Sequence, residues 1–131
     1  MTFTLRNEPY NEYLKVFKKG NRLIKYLPWY VCWDKLKEVY PDAIHKWITY
    51  KYDNKPYGGI MNPDGSVVIH CQLIVEKNGK KYVHNEYMPV RNNAREVVLS
   101  PTSVEMENTY RKTLSKGVCM MTGFALDYWI E

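Results

Sequence analysis

The sequence predicts an α+β fold in which helices cover one face of a three-stranded antiparallel sheet, in the chain order helix, helix, three strands, helix. Apolar residues recur at helical spacing near both ends of the chain, and apolar residues alternate with polar ones in its middle. An Asn-Gly pair, the strongest short hairpin signal, separates two of the alternating segments. The length of 131 residues and the hydrophobic content of 45% suit one folded domain, which we predict to span residues 1–131.

Two helices are predicted before the strands. The first lies within residues 1–22 and ends at Gly20, and its apolar side consists of Tyr10, Tyr13, Leu14 and Phe17. The second begins near Pro28, a residue that the first turn of a helix tolerates, and ends before Pro41. Its apolar side consists of Trp29, Trp33, Leu36 and Tyr40. Each helix is therefore expected to turn one face towards the core.

Three strands are predicted between these helices and the last one. The segment AIHKWITYKYD, residues 43–53, is rich in β-branched and aromatic residues and is predicted to form the first strand. The next two strands flank Asn78-Gly79, where a two-residue turn would place Glu76 opposite Lys81. Alternation is clean before that turn but not after it, so both faces of the sheet stay candidates for burial.

The last helix is predicted to begin after Thr102, because Thr102 and Glu105 have the spacing of a capping box. On a helical wheel its apolar residues share one arc: Met106, Tyr110, Leu114, Gly117, Val118 and Met121. The adjoining arc consists of Arg111, Lys112, Ser115 and Lys116. One side of this helix is therefore expected to pack on the sheet, and the other side is expected to present cations.

Positive charge is concentrated in two acid-free windows of the chain, whose formal net charge is +5. The first window runs from Leu14 to Trp33 and contains Lys15, Lys18, Lys19, Arg22 and Lys25. The second window lies in the last helix and contains Arg111, Lys112 and Lys116. Clustered cations of this kind favour a polyanionic partner such as nucleic acid.

Cations also occur among tyrosines and in the polar connection before the last helix: Lys51, Lys55, Arg91 and Arg95. Unpaired nucleic acid needs such a combination, because cations follow its backbone while aromatic rings stack on its bases. These four cations and the three of the last helix are therefore candidate nucleic-acid-binding residues. Tyr52 and Tyr57 are candidates for base stacking.

No set of residues in the sequence has the arrangement of an enzyme site. No Gly-rich loop ends in Lys-Ser or Lys-Thr, so ATP-driven action is not expected. The histidines and cysteines are scattered and lack the spacing of metal ligands: His45, His70, His84, Cys32, Cys71 and Cys119. We therefore predict a non-enzymatic protein with no catalytic residue, no metal and no cofactor. Without a signal region or a long apolar run, we expect it to be cytoplasmic and away from membranes.

Three segments together resemble the Sak-type single-strand annealing proteins of bacteriophages: YLPWYVCWDKLKEVYPDA, EYMPVRNNAREVVLSP and MENTYRKTLSKGVCMMTGFALDYW. That family is part of a broader group of recombination mediators that includes the eukaryotic Rad-type annealing protein. The family pattern Tyr-Leu-Ser-Trp is matched at residues 26–29, with Pro28 in place of serine. The family pattern of the last helix corresponds to Asn108, Arg111, Leu114, Ser115 and Lys116.

The resemblance implies a β-β-β-α core whose copies assemble side by side into a ring or filament. It implies ATP-independent binding and annealing of single-stranded DNA in phage homologous recombination, in the cytoplasm of a bacterial host. The Lys-Arg pair that lines the inner DNA groove of the Rad-type relatives corresponds here to Arg111 and Lys112. In such a homo-oligomer the N-terminal helix within residues 1–22 would be available for subunit contacts. A single-strand-binding protein of the host or phage is a candidate partner.

Two other functions stay open from the residues alone. A module for double-stranded RNA or other duplex nucleic acid would have the same α-β-β-β-α order and would recognise duplex shape through helices and a loop. A non-enzymatic phage interaction protein, such as an inhibitor, would use the basic face to bind an acidic host protein. Preference for duplexes would indicate the first function, and failure to bind nucleic acid at low salt would indicate the second.

Overall fold

A computed structural model of the chain describes residues 5–92 and 94–130. Its elements, in chain order, are a 3-10 helix at Asn11–Tyr13, strands β1 (Lys15–Lys19) and β2 (Arg22–Tyr26), helix α1 (Trp29–Val39), strands β3 (Ile44–Trp47), β4 (Tyr50–Tyr52), β5 (Lys55–Tyr57), β6 (Ile60–Met61), β7 (Val67–Lys77) and β8 (Lys80–Pro89), and helices α2 (Ser103–Thr122) and α3 (Leu126–Ile130). The fold is therefore mixed α and β, and its paired strands run antiparallel.

The N-terminal segment forms a hairpin where the sequence predicted a helix. β1 and β2 pair across the two-residue turn Gly20-Asn21, with Gly20 at φ +62°. Gly-Asn is one of the two-residue pairs that favour a hairpin turn, and glycine adopts the left-handed backbone there without steric strain. The predicted helix within residues 1–22 is therefore wrong for residues 5–22, and residues 1–4 lie outside the described part.

Strand β7 is the centre of the main sheet. β8 pairs with residues 68–77 of β7 along one edge. β3 and β6 share the other edge, where β3 pairs with residues 71–74 and β6 with residues 67–68. The sheet therefore has four strands instead of the predicted three, although it is nowhere more than three strands wide. The additional strand, β6, has only two residues in a glycine- and proline-rich segment, so alternation cannot show it.

Left-handed residues form the turns of two further hairpins. β7 and β8 meet at Asn78-Gly79, and Glu76 pairs with Lys81 as predicted. The segment predicted as the first strand is divided after Trp47 into β3 and β4. After β4 the chain turns back at Asp53-Asn54, so that β4 pairs with β5. Asp and Asn tolerate a left-handed backbone better than most residues, which explains why the chain turns there.

Helix α2 covers one face of the main sheet, and α1 packs on another side of α2. The predicted capping box is present, because the Thr102 hydroxyl accepts from the Glu105 amide at 3.2 Å and the Glu105 carboxylate accepts from the Thr102 amide at 2.9 Å. The helix ends at Gly123, where φ is +81°. Between α1 and α2 the buried Sγ atoms of Cys32 and Cys119 lie 3.9 Å apart. α2 thus packs between the sheet on one side and α1 on another, and Trp33 of α1 also reaches His45 of β3.

The face of the main sheet that packs on α2 carries the alternating residues of β7: Val67, Ile69, Cys71, Leu73 and Val75, each at most 2% exposed. Gly117 permits the close approach of the helix, because a Cβ there would lie 3.0 Å from Leu73 Cδ1. The opposite face leaves Ile44 47% and Val83 52% exposed. Within the described residues, none of the helices combines the length and the apolar character needed to cross a membrane.

Candidate nucleic-acid interface

Arg111 and Lys112 lie near the middle of α2, where the helix changes from having one covered side to having two. Before them the helix is covered on the sheet side, and this side carries the buried residues Met106 and Tyr110. After them α1 covers a second side, so that Cys119 is also fully buried. Arg111 and Lys112 themselves are exposed, at the start of the half of α2 that α1 also covers. The structure therefore places both predicted cations on the surface.

Arg111 forms an ion pair with an acid that lies just before the acid-free window of the last helix. Its Nη2 atom lies 2.7 Å from Glu107 Oε1, one helical turn earlier, and the two side chains are 48% and 54% exposed. Exposed pairs of this kind contribute about 0–1 kcal/mol to stability, because water and salt screen them. The Glu107 carboxylate can therefore be displaced from Arg111 at little cost to stability. Lys112 has no ion pair or hydrogen bond within the described residues.

The remaining members of the predicted cationic arc differ from one another. Lys116 is partly buried. Ser115 is only 2% exposed, and its hydroxyl donates to the Arg111 carbonyl at 3.1 Å. The prediction that Ser115 shares the exposed arc is therefore wrong: Ser115 lies one helical turn before Cys119, whose thiol contacts Cys32 of α1. The cationic surface of α2 consists of Arg111, Lys112 and the accessible part of Lys116.

The β4–β5 hairpin presents Lys51 and Lys55 to solvent and holds two tyrosines in fixed positions. The rings of Tyr52 and Tyr57 meet edge to face, with centroids 6.0 Å apart. The Tyr52 hydroxyl accepts a hydrogen bond from the Met61 amide at 2.9 Å, which fastens the hairpin to β6. Both tyrosines are partly exposed. Cations and aromatic rings therefore share this hairpin, as the sequence predicted for the segment.

A cavity of about 220 Å³ lies beside Tyr57. Its other lining residues come from β6, the β6–β7 connection, the start of β7 and the residues just before α2: Met61, Asn62, Gly65, Val67, Ser100 and Pro101. The cavity therefore separates the β4–β5 hairpin from the chain that enters α2. One aromatic side chain, Tyr57, and the polar side chains of Asn62 and Ser100 line it.

Contacts through Trp47 join the β4–β5 region to α2. The Trp47 indole Nε1 donates to the Gly58 carbonyl at 2.7 Å, one residue after β5. The same indole stacks on the Tyr110 ring, with centroids 4.8 Å apart and an interplanar angle of 10°. Tyr110 directly precedes Arg111 in the helix. The two regions that carry the predicted nucleic-acid-binding residues are therefore connected by rigid aromatic packing.

Arg91 and Arg95 lie in the connection between β8 and α2, and both are exposed. The Asn92 carboxamide oxygen shapes this connection by accepting from the backbone amides of Ala94 and Glu96 at 2.9 and 3.0 Å. Arg95 has a left-handed backbone with φ +64°. Within the part of the chain that the structure describes, no hydrogen bond or ion pair links either arginine to the α2 cations.

His45 belongs to an aromatic cluster with Tyr110 and Trp33. Its Nδ1 atom lies 2.7 Å from the Tyr110 hydroxyl oxygen, and Trp33 meets the imidazole edge to face at 4.7 Å. This packing desolvates the imidazole and lowers the pKa of His45 below its ordinary value. Burial likewise raises the pKa of Tyr110. Both groups are therefore neutral at physiological pH and serve to position α2.

His70 also has structural partners, on the open side of the sheet. Its Nδ1 lies 2.7 Å from the Tyr50 hydroxyl oxygen and its Nε2 lies 2.8 Å from the Asn85 carboxamide oxygen. The Tyr87 ring stacks on the imidazole with centroids 4.4 Å apart. The sequence did not reveal this cluster, because its members come from β4, β7 and β8 and only the fold brings them together.

The thiols of Cys71 and Cys119 are protonated at neutral pH. Burial raises the pKa of Cys71 to about 11, and the contact with Cys32 together with burial raises the pKa of Cys119. Because the thiolate is the nucleophilic form, these side chains suit packing better than chemistry. Among residues 5–92 and 94–130 there is no group of three or more His, Cys, Asp or Glu side chains that could hold a metal ion.

These features define a class of protein: a small, basic α+β protein with exposed cations on the helix that covers its antiparallel sheet. The family model of the Sak single-strand annealing proteins matches residues 7–130, nearly the whole chain. The chain therefore belongs to the Sak single-strand annealing protein family, which confirms the resemblance found in the sequence. No curated protein sequence matches the chain.

Proposed function

We propose that this protein binds single-stranded DNA and anneals complementary strands without ATP, in phage homologous recombination within a bacterial cytoplasm. The observation that carries the proposal is the exposed Arg111–Lys112 pair on α2 of a chain that belongs to the Sak single-strand annealing family. Family membership supports annealing over a duplex-binding module or an inhibitor. The site supports it further, because its cations and tyrosines suit an unpaired strand.

The α2 cations contact the phosphate backbone in this proposal. The Arg111 guanidinium has five N–H donors and can bind phosphate through two of them once Glu107 is displaced. Lys112 adds a point charge at the next position, and the accessible part of Lys116 lies one turn further along. Each phosphate neutralised releases counterions from the strand, so binding weakens as salt is added.

The β4–β5 hairpin supplies contacts to bases. Tyr52 and Tyr57 are partly exposed and rigidly held, so a base can stack on either ring without ordering it first. Base stacking on an aromatic side chain contributes about 1–3 kcal/mol per base. Lys51 and Lys55 on the same hairpin neutralise neighbouring phosphates. Arg91 and Arg95 extend the backbone contacts along the connection to α2.

A homo-oligomer, as a ring or filament, is part of the proposal. Ile44 and Val83 flank Ile74 in the sheet register, and the three residues form an apolar row on the face away from α2. Ile44 is 47% and Val83 52% exposed, so a second copy would gain by covering them. A net charge of +5 per chain becomes a long cationic track when copies lie side by side. A single-strand-binding protein of host or phage is the candidate loading partner.

Annealing needs no ATP because base pairing itself releases free energy. Stacking of a base-pair step in DNA averages about 1.4 kcal/mol, so the product is favoured once the strands meet. What slows the reaction is repulsion between two polyanions and the search for the matching register. A protein surface that neutralises phosphates while leaving base edges accessible lowers both barriers.

The direct test mixes two complementary oligonucleotides, one labelled with a fluorophore and the other with a quencher, with and without the protein and in the absence of ATP. The proposal predicts faster quenching with the protein, and tighter binding to single strands than to duplexes. Quenching at the rate of protein-free DNA would contradict it. Preference for duplex RNA would indicate the duplex module, and failure to bind any nucleic acid at low salt would indicate a protein-binding function.

A further inference from the structure

Cys32 of α1 and Cys119 of α2 form a pair of sulfurs in the protein interior. Their Sγ atoms lie 3.9 Å apart, and both side chains are 0% exposed. The third cysteine, Cys71 of β7, is equally buried but has no sulfur partner among the described residues. The proposed DNA-binding site uses none of these thiols. The packing of α1 on α2 therefore contains a pair of nucleophilic groups to which no role has been assigned.

The arrangement of the pair suits a covalent bond between the two helices. A disulfide needs an S–S distance of about 2.05 Å and two side chains that extend towards each other from neighbouring backbones. The two sulfurs already contact each other, so rotation about the Cα–Cβ bonds can bring them closer. Cys71 lies on the sheet side of α2, away from the side that packs on α1. Oxidation of the folded chain is therefore expected to give one disulfide and one remaining thiol.

The indole of Trp129 in α3 lies beside the Cys119 thiol. The contact with Cys32 and burial raise the pKa of Cys119, whereas the Trp129 N–H favours the thiolate and opposes part of that rise. The same N–H is buried and has no hydrogen-bond partner among the described residues. A buried donor without an acceptor is costly, and a sulfur that gains negative charge would satisfy it. The pair therefore has a neighbouring group that can stabilise an attacking thiolate.

We infer that Cys32 and Cys119 are a redox modification site, at which hydrogen peroxide oxidises the two thiols to a disulfide that joins α1 to α2. The Cys119 thiolate attacks one peroxide oxygen, the O–O bond breaks, and a sulfenic acid forms while the other oxygen leaves as water. The Cys32 sulfur then attacks the Cys119 sulfur, and the displaced oxygen leaves as a second water with the Cys32 proton. Two thiols thus lose two electrons and two protons, and one peroxide is reduced to two waters.

Proximity and burial determine how the site reacts. The first step is slow while the helices stay packed, because both sulfurs are buried and the Cys119 thiol is protonated. The second step is fast, because the attacking sulfur already contacts its target. The bond joins residues 87 positions apart, so it strongly restricts the unfolded chain. It fixes α1 on the second half of α2 and leaves the exposed Arg111 and Lys112 unmodified.

The test treats the folded, reduced protein with hydrogen peroxide and then alkylates the remaining thiols in denaturant. Intact mass and peptide mapping identify the linked cysteines. The inference predicts one disulfide between Cys32 and Cys119, a mass lower by two hydrogen atoms before alkylation, and one alkylated thiol at Cys71. The midpoint of urea unfolding should be about 1–2 M higher for the oxidised protein than for the reduced protein, and dithiothreitol should abolish the difference.

Two variants that each remove one buried thiol provide the matched comparison. Cys71→Ala should still form the disulfide and show the higher urea midpoint after oxidation. Cys32→Ala should form no disulfide within the chain, and peroxide should not raise its midpoint. The peptide map of the wild-type protein decides the inference even where a variant is unstable, because it needs no substitution.

Three alkylated thiols in the peroxide-treated wild type, at a dose that fully oxidises free glutathione, would overturn the inference. Disulfides between chains, or a mixture of the possible pairings within one chain, would also overturn it, because they indicate reaction outside the packed α1–α2 contact. The inference goes beyond the proposed function and does not depend on it. DNA binding is not part of the readout, so the two can fail separately.

Discussion

Arg111 combines an exposed guanidinium with a partner that is easily replaced. Its ion pair with Glu107 joins side chains that are 48% and 54% exposed, so solvent screens the attraction. The sequence predicted the exposure of Arg111 and Lys112 from helical spacing alone. It could not predict that Ser115 is buried, because a helical wheel shows which residues share a side but not whether a second helix covers it. That information belongs to the packing of α1 on α2.

Replacing His45 with Gln is expected to reduce the dependence of stability on pH. The pKa of His45 is lowered in the folded chain from 6.5, so the unfolded chain takes up a proton first as the pH falls. The stability that neutral His45 contributes is present above pH 6.5 and is lost as the pH falls from 6.5 towards the folded pKa. Urea unfolding across this window should show a smaller loss for His45→Gln than for the wild type.

The other two histidines are present in both proteins, so their effects cancel when the two pH profiles are subtracted. The variant Lys46→Gln, which changes an exposed neighbour in β3, is a suitable control and should follow the wild type. Identical pH profiles for the wild type and His45→Gln would show that the imidazole is not desolvated by Trp33 and Tyr110.

The elements differ in how strongly their sequences specify them. α2 has a capping box at its start and Gly123 at its end, and β7–β8 has Asn-Gly at its turn, so local chemistry predicted both. The apolar residues of β1 and β2 fit a helical period as well as a strand period, because the run is short, and they therefore predict a helix. The Gly20-Asn21 pair predicts the hairpin turn that the structure contains. Tertiary context also decided which face of the sheet is buried, since only α2 distinguishes them.

The capping box of α2 is expected to contribute measurably to the free energy of unfolding. Thr102→Ala removes the hydroxyl that accepts from the Glu105 amide, and we expect it to lower the free energy of unfolding by about 1 kcal/mol. Ser103→Ala changes an exposed hydroxyl at the next position and should alter stability by less than about 0.5 kcal/mol. Chemical denaturation of both variants gives the comparison. Equal losses would show that the cap contributes nothing specific.

At the scale of the whole molecule, the exposed cations lie on separate elements around a common core. α2 carries Arg111 and Lys112, the β4–β5 hairpin carries Lys51 and Lys55, and aromatic packing through Trp47 links the two regions. Composition and motif order were enough to indicate the family, which the match over residues 7–130 confirms. The relative positions of the cations could not be predicted, because contacts between residues distant in sequence determine them.

The central claim is that the charged side of α2 binds the backbone of an unpaired strand. The most direct measurement is the salt dependence of single-strand binding by Arg111→Ala/Lys112→Ala, beside a control in which exposed Lys77 and Lys81 are replaced by Ala. We expect weaker binding and a slope of log K against log salt that is flatter by about 1.4, because two phosphate contacts are lost. The control should retain the wild-type slope. Wild-type affinity and slope in the α2 variant would contradict the account.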